Sequence, residues 1–354
     1  MQPRLIVGLT AVLLTLSLRA HAFDAAAHRL IGAIADQQLN PVARQHVLTD
    51  LGYDLRTAGP WVDCVRNVKR DGDQYRYTLD PQHPEYHAPC TAFESPQEQA
   101  RLEDYARRHW QTCDGAGGGP CHGRYHYTDV AIQHRRYERR WLGTRDDDIV
   151  GAIAAAIAVL QGKPCPPPFR IADTKEALLM LAHFVGDLHQ PLHVGSVYLN
   201  TDAQPFDPDA NGKTLHPDAD THGGNALRDP QTGRNLHAAW DRIPDGLGDI
   251  ADATLVRQAQ RVPPSPAPID RWPMIWATES LQVARRAFNG LAYVADPQRP
   301  GQWQVQFVDR ARYQRDQAAL QQQAIIRAGA RLAQLLNTVW PSQDHAGHGD
   351  GGSR

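Results

Sequence analysis

Apolar positions recur every three or four residues along much of the chain, so the pattern predicts a mainly helical protein. This spacing predicts helices over 25–39, 147–160, 174–188, 278–294 and 309–336, with 223–240 leading into another. The segment 148–160 is Ala-rich and apolar almost all round, which predicts burial on every side. Asp173 or Thr174 supplies an N-cap for the helix that follows. Strict alternation is rare, and Tyr75–Leu79 is the candidate strand. Loops are expected where Pro and Gly cluster, at 80–96, 114–120, 164–168, 202–224 and 261–268. The last reads as a connection between helices, because the helices on both sides have similar composition. The expected architecture is all-α: one mainly helical domain with long loops and little strand.

Both ends read differently from the middle. Arg4 precedes an apolar run from Leu5 to Leu16, and Ala20-His21-Ala22 follows as an A-x-A site. That is the pattern of a signal peptide over 1–22, cleaved before Phe23, with an uncleaved anchor as the alternative. The run is too short to span a bilayer comfortably, and no other long apolar stretch occurs, so no membrane span is expected after cleavage. The product would be exported, to the periplasm or outside the cell. Beyond Pro341 the polar, Gly-rich segment 342–354 reads as a disordered tail, and its His345 and His348 as solvated residues.

Composition narrows the function. With 42% hydrophobic and 21% charged residues, the 354-residue chain is neither disordered nor collagen-like. Its net charge of −2 supplies no basic field for nucleic acid, so any hold on phosphate must be local. Five cysteines in an exported chain suit disulfides, and Cys113 and Cys121 are the favoured pair. An odd count leaves one thiol over, and no C-x-x-C spacing points to metal.

The 17 histidines carry the chemistry. His183 and Asp187 stand four residues apart on a predicted helix, and His237 and Asp241 repeat the spacing. Each pair therefore shares one helix face. His193 follows Pro191, which should end the helix. Alone, an H-x-x-x-D pair is more often a surface ion pair. Here the flanks of His183 are apolar, and a buried imidazole and carboxylate need partners, for which a metal ion serves. His28, Asp63 and His126 have bland readings singly: a surface residue of the first helix, a helix cap and a strand histidine packed among aromatics.

As an ordered set these residues resemble the S1/P1 nucleases, a zinc-dependent nuclease and 3'-nucleotidase family. The set runs from Phe23 and His28 through Trp61, Asp63 and Arg66, then His126, Tyr127 and Asp129. It continues with His183, Asp187 and His193, and ends with Gly223, Gly224, Asn225, His237 and Asp241. The resemblance implies a nuclease domain over 23–341 with the mainly helical fold shared by phospholipase C and P1 nuclease. It implies three zinc ions per chain. One takes Asp63, His126, His183 and Asp187; a second takes His193, His237 and Asp241. The third takes His28, a bridging Asp187, and the amine and carbonyl of Phe23. It further implies hydrolysis of single-stranded DNA, RNA and 3'-nucleotides to 5'-phosphorylated products. Asp63 and Arg66 would be catalytic, and Arg66, Tyr127, Asp129 and Asn225 would hold substrate. Two departures stand out: Phe23 where the family usually carries Trp, and Asp220-Thr221-His222 before the glycine pair. His222 reads as a loop residue, not a ligand.

Two rival readings remain. A zinc phospholipase C would carry Glu at Asp241 and a first His further from the N-terminus. A non-catalytic exported zinc-binding protein leaves Arg66 without a task.

Overall fold

A computed structural model of the chain describes residues 23–81, 87–113, 119–210, 215–266 and 268–342. The expected signal peptide, nearly all of the tail, and residues 114–118 of the glycine loop lie outside them.

Eleven α-helices are described: α1 Ala25–Asp36, α2 Pro41–Leu51, α3 Leu55–Ala58, α4 Trp61–Cys64, α5 Pro96–His109 and α6 Ile149–Leu160. The rest are α7 Thr174–His189, α8 Leu236–Asp241, α9 Ala253–Gln260, α10 Trp272–Ala287 and α11 Arg310–Val339. Short side chains begin most of them. Asp24, Asn40, Asp54, Asp148, Asp173, Asn235, Asp252 and Asp309 each accept a backbone N–H of the first turn. The fold is mainly helical, as the periodicity predicts.

The helix α7 runs through the middle, buried from Glu176 to His189. The helices α1, α6, α10 and α11 lie against it. Together they enclose the larger apolar core, which includes Leu30, Ile153, Leu179, Phe184, Trp276 and Leu332. A second core forms around Leu192, Val197, Leu236, Trp240, Trp303 and Val305. The 261–268 connection is tied down: Ser265 donates to Gln334 of α11 and accepts from the Trp276 indole.

Strand content is small. Val68–Asp71 (β1) pairs antiparallel with Gln74–Tyr77 (β2), where the sequence predicts a strand. Val130–Ala131 (β3) pairs parallel with Gly195–Ser196 (β4), and Tyr198–Leu199 (β5) antiparallel with Pro205–Phe206 (β6). Leu227–Arg228 (β7), Leu291–Ala295 (β8) and Trp303–Phe307 (β9) form a sheet in the order β7-β9-β8. This corrects one expectation. The helix predicted to reach residue 294 ends at Ala287, and Leu291 onward is strand. Gly290 has φ +75°, a conformation open to glycine, and turns the chain out of the helix.

Candidate metal centre

Short elements carry half of the expected ligands, and the sequence fastens each one. Asp63 sits on the four-residue α4, whose end Cys64 is bonded to Cys90. His126 ends a 3-10 turn that starts at Cys121, itself bonded to Cys113. Helical pieces this short do not hold themselves, so each disulfide anchors a segment that propensity cannot. The pair Cys113–Cys121 is the one favoured from sequence; Cys64–Cys90 is new, and Cys165 is the leftover thiol. His183 and Asp187 lie on α7, and Pro191 starts the 3-10 turn that presents His193. His237 and Asp241 share the inner face of α8. His28 lies on α1. Asp24 donates its N–H to the Asp241 carbonyl at 2.8 Å, which brings the buried Phe23 to α8.

The structure brings these side chains together. Ligand-type atoms fall within 4.8 Å of one another in three buried or nearly buried groups: His28, Asp63, His183; His126, His183, Asp187; and His193, His237, Asp241. Asp187 is central: its Oδ1 lies 3.3 Å from His28 Nε2, and its Oδ2 lies 2.9 Å from His126 Nδ1 and 3.2 Å from His183 Nε2. The His28 ring stacks on His183 at 3.8 Å, with the Phe23 ring edge-on behind it.

The proton pattern tests whether a cation fits. Nδ1 of His183 donates to the Gly59 carbonyl at 2.8 Å. Nδ1 of His193 donates to the His126 carbonyl at 2.7 Å, and Nδ1 of His237 to the Gly223 carbonyl at 2.9 Å. In a neutral His193 ring Nε2 then turns its lone pair inward, whereas Nε2 of His183 lies 3.2 Å from Asp187 Oδ2. Burial would lower the His183 imidazole, but Asp187 with Asp63 raises it. Nε2 of His193 and Nε2 of His237 approach to 3.1 Å. With Asp241 Oδ1 3.5 Å from the first and 3.6 Å from the second, these atoms form a donor set that one cation can share. A backbone acceptor fixing the tautomer is also how metal-ligating histidines are oriented. Among the described residues, both ring nitrogens of His28 and Oδ2 of Asp241 are buried without a hydrogen-bond partner. Imidazoles and carboxylates with no thiolate suit zinc.

Electrostatics agree. Burial would raise the Asp187 carboxyl, but His183, His193 and the bond from His126 hold it well below its ordinary value. Burial lowers His126 to about 4, against the pull of Asp187. Burial raises Asp241 well above the usual carboxylate range; His237 and Gln190 offset this only in part, and the Asp187 and Asp63 charges add to it. A nearby cation is what such a carboxylate lacks.

Around this cluster lie the expected substrate residues. Arg66 pairs with Asp63 at 2.6 Å, at the partly open edge. Tyr127 has the Arg145 guanidinium 5.1 Å from its ring centre. Asp129 is buried, and burial together with Asp220 pushes it up to about 7. Asn225 is buried and donates from Nδ2 to the His222 carbonyl at 2.9 Å. Several contributors had no role from sequence: Arg145, the carbonyls of Gly59, His126 and Gly223, and Gln190, whose amide donates to Asp241 Oδ1 at 2.7 Å. Gln190 had a signal, its place just before Pro191; a carbonyl acceptor has none. Gly223 must be glycine, since its φ is +57° and a Cβ there would lie 2.0 Å from the Leu192 carbonyl oxygen.

A mainly helical scaffold closing on a buried histidine–aspartate cluster defines the class. Residues 24–341 match the family model described as S1/P1 Nuclease, and the chain belongs to that family of nucleases. Over 244 residues it is 27% identical to Endonuclease 1 of Arabidopsis thaliana, covering 62% of this chain and 69% of that protein.

Proposed function

We propose that the protein is an exported zinc-dependent endonuclease acting on single-stranded DNA and RNA, with 3'-nucleotidase activity, and that its products carry 5'-phosphates. The convergence of buried imidazoles and carboxylates in three groups, each with its ligand-type atoms within 4.8 Å of one another, carries this reading. Asp63, His126, His183 and Asp187 would hold one zinc, and His193, His237 and Asp241 a second. His28, Asp187 and the main-chain amine and carbonyl of Phe23 would hold the third. The amine exists only after cleavage before Phe23, so export would complete the site. Three divalent ions against three carboxylates leave about +3 of local charge. That charge offers a mildly acidic protein a hold on phosphate. Zinc supplies Lewis acidity and an ionised water at neutral pH.

The chain's own groups do the rest. Asp63 orients Arg66, whose guanidinium neutralises a non-bridging phosphate oxygen as charge builds there. Tyr127 is covered on one side by Arg145 and offers its other face to a base. Asp129 accepts a base N–H, and Asn225 lines the same pocket. Stacking needs an unpaired base, which favours single strands. No helix of the described residues is long and apolar enough to cross a membrane.

The test is to incubate the mature protein with single-stranded DNA, RNA, 3'-AMP and phosphatidylcholine, with and without a chelator. The expected outcome is chelator-sensitive cleavage of the first three, 5'-phosphate ends, and about three zinc ions per chain. Lipid cleavage without nucleic acid cleavage would overturn the reading.

A further inference from the structure

One residue beside the glycine pair is held in a conformation that ordinary packing does not repay. His222 has φ +51°, where a side chain with a Cβ is disfavoured. Its side chain is 65% exposed, so burial returns little. Asp220 holds it instead. Oδ1 of Asp220 accepts the His222 N–H at 2.8 Å, and Oδ2 lies 3.5 Å from Nδ1 of the ring. Asp220 is in turn fixed by the Ser196 hydroxyl, which donates to Oδ1 at 2.6 Å. The arrangement adjoins the candidate metal centre, since Gly223, the next residue, takes Nδ1 of His237 on its carbonyl. The His222 carbonyl takes the Asn225 amide at 2.9 Å, and atoms of Asp129, Asp220 and His222 lie within 4.8 Å of one another.

We propose that Asp220 and His222 are a positioning pair for the nucleobase pocket: the strained His222 backbone sets the Asn225 amide, and its ring, gripped by Asp220, faces Asp129 and keeps that carboxylate ready to accept a base N–H. This rests on the reading of Asp129 and Asn225 as base-binding residues. The groups around Asp129 fall into two sets. Asp220 opposes its ionisation, and His222, Arg145 and His193 favour it. The Tyr198 hydroxyl donates to the Asp129 main-chain carbonyl at 2.9 Å and lies beside Asp220. His222 is pushed up to about 9, chiefly by its bond to Asp220, so it is a cation at neutral pH. Removing the His222 ring therefore moves Asp129 up, whereas removing the Asp220 charge takes away an opposing anion and at the same time releases the His222 cation.

The zinc-loaded protein is compared with His222→Gly and Asp220→Asn on two substrates from pH 5 to 8. One is 3'-AMP; the other is bis(p-nitrophenyl) phosphate, which has no base to place. Glycine adopts φ +51° without strain, so His222→Gly keeps the backbone while losing the ring. The expected result for 3'-AMP with His222→Gly is a KM about fivefold higher, and the acid limb of kcat/KM shifted to higher pH. Asp220→Asn, which releases the His222 ring and backbone, also raises this KM about fivefold. With bis(p-nitrophenyl) phosphate, kcat stays within about twofold in both variants. Unchanged KM in both variants, or an acid limb that stays in place in His222→Gly, overturns the positioning pair. A wild type with no advantage for 3'-AMP over the base-free ester sinks the base pocket itself, a separate outcome.

Discussion

Histidines in this chain divide by what sits behind the ring. His109 and His189 are as buried as the ligand candidates, yet each is fully satisfied by protein. Nδ1 of His109 donates to the Tyr105 carbonyl, and Nε2 accepts the Arg170 N–H at 3.0 Å. Nδ1 of His189 donates to the Val185 carbonyl, and Nε2 accepts from Arg331 at 3.0 Å. Both rings must stay neutral. Burial, helped by Arg108, lowers His109 from 6.5 to about 3. A depressed histidine stabilises the fold fully above its unfolded value and less as pH falls toward its folded one. The contribution therefore fades from about pH 6.5 downward, by at most about 1.4 kcal/mol per unit. His109→Asn loses one of the two bonds and should cost about 1–3 kcal/mol at pH 8. Urea unfolding from pH 8 to 4 should show that gap closing in acid, while zinc loss affects both proteins alike. A constant gap refutes the assignment. Order and spacing picked out His126, His183, His193 and His237; the carbonyls behind His109 and His189 lie one turn back in their own helices, but the N–H groups of Arg170 and Arg331 come from the fold. No local pattern at His109 announces them.

At the scale of elements, α7 is legible because nearly every position is apolar or needed by the site. The same periodicity found α1, α6 and α11. It missed α5 (PQEQARLEDYARRH), whose charged residues cover an outer face and whose few buried positions, Leu102, Tyr105, Ala106 and His109, are easily overlooked. It overran α10, because Leu291–Ala295 continues the apolar spacing; Asn289-Gly290 was the breaker signal available. One α7 position links packing directly to the site. A Cβ on Gly186 would lie 2.9 Å from Nδ1 of His28 and 3.1 Å from the Ile31 side chain. The His28 ring thus rests on a bare backbone, with α1 drawn close to α7. Gly186→Ala should push His28 away while keeping the helix, since alanine is the better helix former. Expected are unchanged far-UV circular dichroism, about one zinc ion fewer per chain, and a rate lowered about tenfold or more. Full zinc content in this variant would remove His28 from the ligand set.

Taken as a whole, the molecule hangs its candidate site between two apolar cores. His28, Asp63, His126, His183 and Asp187 adjoin residues of the larger core, whereas His193, His237 and Asp241 follow Leu192, Leu236 and Trp240 of the smaller. Sequence could list these residues but not foresee this division, which depends on how α8 and the β7-β9-β8 sheet sit beside α7. The surface offers little to a polyanion. The chain carries 37 Lys and Arg against 39 Asp and Glu. Many arginines are already paired with acids, as in Arg101–Asp173, Arg107–Asp104 and Arg139–Asp146. On the proposed function, attraction for nucleic acid should come from the candidate metal centre and Arg66, over one to three phosphates. Each phosphate neutralised on a single strand contributes about −0.7 to the slope of log affinity against log salt. The expected slope for a long single-stranded substrate is between about −0.7 and −2, measured as 1/KM from 50 to 300 mM salt. A slope steeper than about −4 would require a basic track along the surface in addition to the candidate metal centre and Arg66.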